Sequence, residues 1–195
     1  MLKTIGRKHT AQQFFDAFEL ARKCGFDNIN TDLIAGLPTD TPESFKNSLD
    51  SIVRLNAECI TVHTLCMKRA SRLTTEGVTL DLQQARDARE MLAYTQNILG
   101  QNEYIPYYMY RQSRMIGNLE NVGWSKRGFE SLYNVYVMDE THTILACGSG
   151  GVTKLKRNNP DYLERIFNFK YPYEYIDRFD ELIQRKSGIM QFYGQ

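Results

Sequence analysis

No pair of cysteines in this chain has the C-x-x-C spacing of a zinc knuckle: Cys24, Cys59, Cys66 and Cys147 stand alone. Histidine is equally sparse. His9, His63 and His142 are too far apart to form a metal pair on one helix, and a lone imidazole without an orienting partner reads as a structural or exposed residue. There is no G-x-S-x-G nucleophile elbow, no phosphate-binding P-loop, and no G-x-G-x-x-G between a strand and a helix. No apolar run approaches the roughly 20 residues of a membrane span. The opening Met1-Leu2-Lys3-Thr4-Ile5-Gly6-Arg7 lacks the apolar core of a secretory leader, so the thiols are expected to be reduced, in a cytoplasmic protein. A net charge of +1 gives no electrostatic case for nucleic acid or an anionic membrane as partner. What remains is a soluble α/β chain without a local metal motif.

Its 195 residues hold 12 Tyr and 10 Phe, concentrated after residue 90, which suggests an aromatic-rich surface or pocket there. Thr10 is an N-cap for a helix whose apolar positions Phe14, Phe15, Phe18 and Ala21 recur with helical spacing, closed by Gly25. A strand over Asn28–Ala35 leads through Gly36-Leu37-Pro38 to Thr41-Pro42, a cap with proline at the first helical position. Phe45, Leu49, Ile52 and Val53 stripe that second helix, and a β-branched strand follows at Cys59–Leu65. Alternating helices and strands with short connections predict a parallel sheet, and the outer edge of its first strand is expected to be adhesive. After a basic loop at 66–80, the pattern gives a helix from Leu82 to Gly100 and an aromatic strand at Tyr104–Tyr110. A Gly/Asn-rich loop then spans 117–128, with a hairpin at Leu132–Met138 and Thr143–Cys147 and helices starting at Pro160 and Pro172.

Asp32 is the residue in this pattern with the clearest chemical claim. A carboxylate in an apolar strand is costly unless it caps a turn or faces a polar site, and strand ends in α/β folds are where ligands bind. Two further features stay open. Gly148-Ser149-Gly150-Gly151 reads as a tight turn or, less readily, as a backbone cradle for an anion. Lys68, Arg69 and Arg72 read as a solvated face or as a carboxylate receptor.

Gly6-Arg7-Lys8-His9-Thr10, a helix, and then Asp32-Leu33-Ile34-Ala35-Gly36-Leu37-Pro38-Thr39-Asp40-Thr41 resemble the radical S-adenosylmethionine (SAM) enzymes of the oxygen-independent coproporphyrinogen III oxidase, or coproporphyrinogen dehydrogenase, family. Gly117-Asn118-Leu119-Glu120-Asn121, Leu132–Tyr136 and Gly148–Leu155 extend the likeness over essentially the whole chain. The resemblance implies an α/β fold: residues 1–80 as the last two strands and helices of a partial (β/α)6 barrel, and residues 81–195 as an α+β C-terminal domain. It implies SAM contacts from Arg7 and from Asp32, which lies 25 positions later, and a contact near Cys66 at the adenine end. A guanidinium suits the methionyl carboxylate, and a carboxylate suits ribose hydroxyls or an amino group. It implies coproporphyrinogen III as substrate, an electron donor as partner, and oxidative decarboxylation of propionates to vinyl groups in haem biosynthesis.

One departure matters for activity. The C-x-x-x-C-x-x-C motif that carries the family's 4Fe–4S cluster is absent, so this chain holds no metal ligands and is expected to be inactive alone. A haem-handling relative of the same family and a non-catalytic remnant are the alternative readings.

Overall fold

The computed structural model describes residues 6–66, 81–112, 115–158 and 160–194. They fall into two compact units, Met1–Ser131 and Leu132–Gln195.

In the first unit, α1 (Ala11–Lys23) opens with a capping box: Thr10 accepts from the Gln13 N–H, and the Gln13 side chain accepts from the Thr10 N–H. β1 (Asn30–Ala35) follows, then α2 (Pro42–Arg54), whose cap Thr41 accepts from Ser44 N–H at 3.2 Å. Thr41→Ala removes this bond from an exposed helix start and is expected to cost about 1 kcal/mol, read by urea unfolding with an unchanged m-value. β2 (Cys59–Thr64) pairs in parallel with β1, as the alternation of elements predicts, with Asp32 opposite Thr61 and Ile34 opposite His63. α3 (Leu82–Gln101) precedes β3 (Ile105–Tyr110) and β4 (Asn121–Ser125). The sheet order is β1-β2-β4-β3, with β4 antiparallel to both neighbours and β1 on an edge.

The period-two alternation of strands decides which face each residue joins. Ala35, Ile60, Val62 and Trp124 turn to the helices and form the core with Phe18 of α1, Phe45, Leu49 and Ile52 of α2, and Met91 and Leu99 of α3. Asn30, Asp32, Thr61 and His63 alternate with these residues and occupy the other face.

β4 replaces the loop expected at 117–128. Its asparagine and glycine lower strand propensity, but tertiary contacts override that preference. Asn121 is buried, and its Oδ1 accepts the Thr64 N–H at 2.7 Å. Gly123 is required for space, because a Cβ there would fall 1.9 Å from Tyr108 Cε1.

The second unit departs further from expectation. Leu132–Asp139 is a helix, α4, not the first strand of a hairpin. Lys154 supports it at its C-terminal end, donating to Val137 O at 3.0 Å and to Glu140 Oε1 at 2.7 Å, where a cation complements the helix dipole. Only Ile144 of the expected second strand makes a β-bridge, to Lys154. The hairpin is instead β5 (Val152–Asn158) with β6 (Asp161–Phe167). Pro160 therefore sits in the turn ahead of β6, not at the start of a helix. Pro172 does start a helix, α5 (Pro172–Asp177). The chain then breaks at Arg178, whose φ/ψ of −114°/34° is not helical, and continues as α6 (Phe179–Lys186) and α7 (Gly188–Tyr193). Leu155, Ile166 and Phe192 form a buried cluster in this unit, where Phe169 and Leu182 are also buried.

Candidate functional site

The polar face of the first sheet carries a hydrogen-bond network whose directions can be assigned from its fixed ends. Asn30 Nδ2 donates to Asp32 Oδ1 at 2.8 Å, and Thr61 Oγ1 donates to Asn30 Oδ1 at 3.0 Å. Because Thr61 spends its proton on Asn30, the hydroxyl of Tyr108, 3.2 Å away, is the donor to Thr61. On the next strand, His63 Nε2 lies 3.8 Å from the same Asp32 Oδ1, an ion-pair distance rather than a hydrogen bond. Tyr110 Oη lies 3.4 Å from His63 Nδ1. The Tyr108 and Tyr110 rings run nearly parallel, 9° apart with centroids separated by 6.4 Å, and form an aromatic wall beside the carboxylate.

The electrostatics follow the same geometry. His63 beside Asp32 lowers the carboxyl's pKa below its ordinary value; partial burial opposes this, and the Asn30 amide adds to the lowering. Burial raises the Tyr108 and Tyr110 phenols, so both keep their protons as donors at neutral pH. The Asp32 side chain remains 60% exposed, so the site presents an ionised, oriented acceptor to solvent. Such a carboxylate suits hydroxyl or ammonium donors of a ligand.

Of the residues singled out in the sequence, Asp32 lies at the centre of this network. Arg7 stands in the exposed segment ahead of α1, whereas the partners of Asp32 are its strand neighbours. Cys66 is half-buried just beyond β2, where its backbone bridges Met115. Asn30, Thr61, His63, Tyr108, Tyr110 and Asn121 were not singled out as site residues. The available signal was polar alternation, Asn30/Asp32 on one strand and Thr61/His63 on the next.

The glycine run resolves as a turn. Gly148 N–H goes to Tyr175 Oη, Gly150 N–H to Phe169 O and Gly151 N–H to Gly148 O, so three of its amides are already used. Lys68, Arg69 and Arg72 lie outside the described residues. Among the described residues no group of three or more His, Cys, Asp or Glu is placed to hold a metal, and no helix is long and apolar enough to cross a membrane.

The structure of Escherichia coli coproporphyrinogen III oxidase, described as a radical SAM enzyme, superposes with a TM-score of 0.63 over 92% of this chain and 40% of that one, at 18% identity. Among curated proteins, the oxygen-independent coproporphyrinogen-III oxidase-like protein HemZ of Bacillus subtilis is 37% identical over 190 residues, 97% of this chain and 38% of its own length. The heme chaperone HemW of Lactococcus lactis is 32% identical over 168 residues, 82% of this chain and 40% of its own. No protein-family profile matches the chain. The chain is thus related to the oxygen-independent coproporphyrinogen III oxidase family of radical SAM proteins. It corresponds to the C-terminal part of those proteins and spans about two fifths of the length of these relatives.

Proposed function

We propose that this chain supplies the Asp32-bearing part of a radical SAM oxidoreductase acting on coproporphyrinogen III, and that it does not turn over by itself. The observation that carries this reading is the ionised, half-exposed Asp32, held by Asn30 and His63 on the open face of a sheet with the coproporphyrinogen-oxidase fold. Asp32 accepts from the ribose or amino donors of SAM, Arg7 meets its carboxylate, and backbone at Cys66 meets the adenine end. In such enzymes SAM and a 4Fe–4S cluster together supply the hydrogen-abstracting chemistry, using an electron donor. The cysteines here do not reproduce the cluster motif, which is the ground for proposing an inert chain. The composition and the relatives' roles favour a cytoplasmic location.

The test combines turnover with binding. The chain, incubated with SAM, a low-potential reductant and coproporphyrinogen III, is expected to release neither CO2 nor protoporphyrinogen. It is expected to bind SAM weakly in calorimetry, and Asp32→Asn is expected to weaken that binding about ten-fold, the equivalent of one charge-assisted hydrogen bond. Turnover by the chain alone overturns the inert assignment.

A second reading is favoured by the similarity to a heme chaperone over 82% of the chain. Stoichiometric haem binding, seen as a sharpened Soret band, with no SAM binding would support that reading instead.

A further inference from the structure

The His63 imidazole is flanked on both nitrogens, and its surroundings determine which nitrogen carries the proton. Burial raises the Tyr110 phenol, so its hydroxyl keeps a proton to donate. Asp32 Oδ1 only accepts, so the imidazole proton faces it and the Tyr110 proton is directed at His63 Nδ1, 3.4 Å away. A nitrogen that accepts at Nδ1 leaves the imidazole proton on Nε2, the atom 3.8 Å from Asp32 Oδ1. The Asn30 amide reaches that same oxygen. One donor chain, from Tyr108 through Thr61 and Asn30, therefore ends on Asp32 Oδ1 in a hydrogen bond, and His63, backed by Tyr110, faces the same oxygen at ion-pair distance.

We propose that His63 is a positioning residue for nucleoside binding: Tyr110 fixes it as the Nε2–H tautomer, and its N–H orients the Asp32 carboxylate to accept from the vicinal hydroxyls of a ribose. The inference rests on the proposal that Asp32 contacts SAM. It adds what the strand pair itself supplies, an acceptor whose orientation is set before the ligand arrives. A preset orientation raises affinity because the ligand does not have to order the carboxylate on binding.

The experiment uses the intact chain and S-adenosylhomocysteine as probe, together with 15N spectra of the imidazole. At pH 8 the wild-type His63 is expected to show a bare Nδ1 and a protonated Nε2, and Tyr110→Phe is expected to mix the two tautomers. His63→Phe is expected to weaken the probe about ten-fold, whereas His63→Gln, which can aim an amide N–H at Asp32, recovers all but about three-fold. In an Asp32→Asn background, His63→Phe is expected to change affinity no further.

Unchanged affinity in His63→Phe, no recovery by His63→Gln, or a protonated Nδ1 in the wild type each overturns the proposal. A wild-type chain that binds no probe overturns the underlying SAM assignment. The positioning geometry is then judged by the tautomer alone: protonated Nε2, lost in Tyr110→Phe, upholds it.

Discussion

Gly123→Ala is expected to destabilise the first unit by about 2–3 kcal/mol, a large penalty for one methyl group in a strand. Overpacking of this kind costs about 1–3 kcal/mol, and the Tyr108 to Thr61 hydrogen bond adds about 1 kcal/mol when lost. The entropy gained by replacing a strand glycine offsets about 0.5–1 kcal/mol. The Tyr108 ring lies across the backbone of Gly123, its Cε1, Cδ1 and Cζ at 1.9, 2.4 and 2.5 Å from where the Cβ would stand. The two residues are paired across the β3–β4 ladder next to an irregularity between Pro106 and Tyr108 that re-aims the ring. The ring must therefore move, and it takes with it the donor that begins the hydrogen-bonded chain ending on Asp32.

A double-mutant cycle checks the cause. Tyr108→Ala removes the obstacle, so Gly123→Ala on that background is expected to be nearly neutral, with a coupling of about 2 kcal/mol by urea unfolding. Additive penalties would show that the ring is not the source. The same displacement is expected to lower nucleoside affinity, which ties a packing constraint in β4 to the binding face.

The legibility of this chain divides along the same line. Elements whose signals are local were readable: the N-cap at Thr10, the Thr41-Pro42 start and the two parallel strands all appear where period and caps put them. β4 was not, because its strand character comes from partners 57 and 15 residues distant, the Thr64 amide and the Tyr108 ring. α4 was misread for the opposite reason. Leu132–Asp139 has β-branched and aromatic residues but no buried position, so no sheet rewards that propensity, and Lys154 supports the helix instead. For the site, the family phrase identified Asp32, but nothing local linked it to His63 or Tyr110. Their proximity depends on the strand order β1-β2-β4-β3, which brings residue 110 beside residue 63 only after β4 has been inserted.

Arg22→Ala is expected to cost about 2–3 kcal/mol at pH 7, the low side of the range for breaking a buried pair, since Arg22 is 30% exposed while Glu58 is only 11% exposed. One guanidinium nitrogen lies 2.7 Å from each Glu58 oxygen, and Glu58 Oε2 also accepts the Ile29 N–H at 3.0 Å. The pair thereby ties the end of α1 to the residue leading into β1 and to the start of β2. Removing Arg22 takes away the carboxylate's charged donor. Burial alone would raise the Glu58 carboxyl, yet the Ile29 N–H and Arg22 together hold it below the ordinary 4.5. A group depressed in the folded state contributes stability above its unfolded value and loses it as pH falls through the folded one. The wild type should therefore lose this contribution progressively below about pH 4.5. In Arg22→Ala, burial is less opposed, the folded carboxyl titrates higher, and protonation relieves the variant first. The difference between the two proteins is thus expected to shrink as pH falls from 7 toward 4, measured by urea unfolding at each pH. A gap that stays constant across this window would assign the loss to the packing of Arg22 on Phe18, 5.1 Å from the ring centroid, and not to the buried charge.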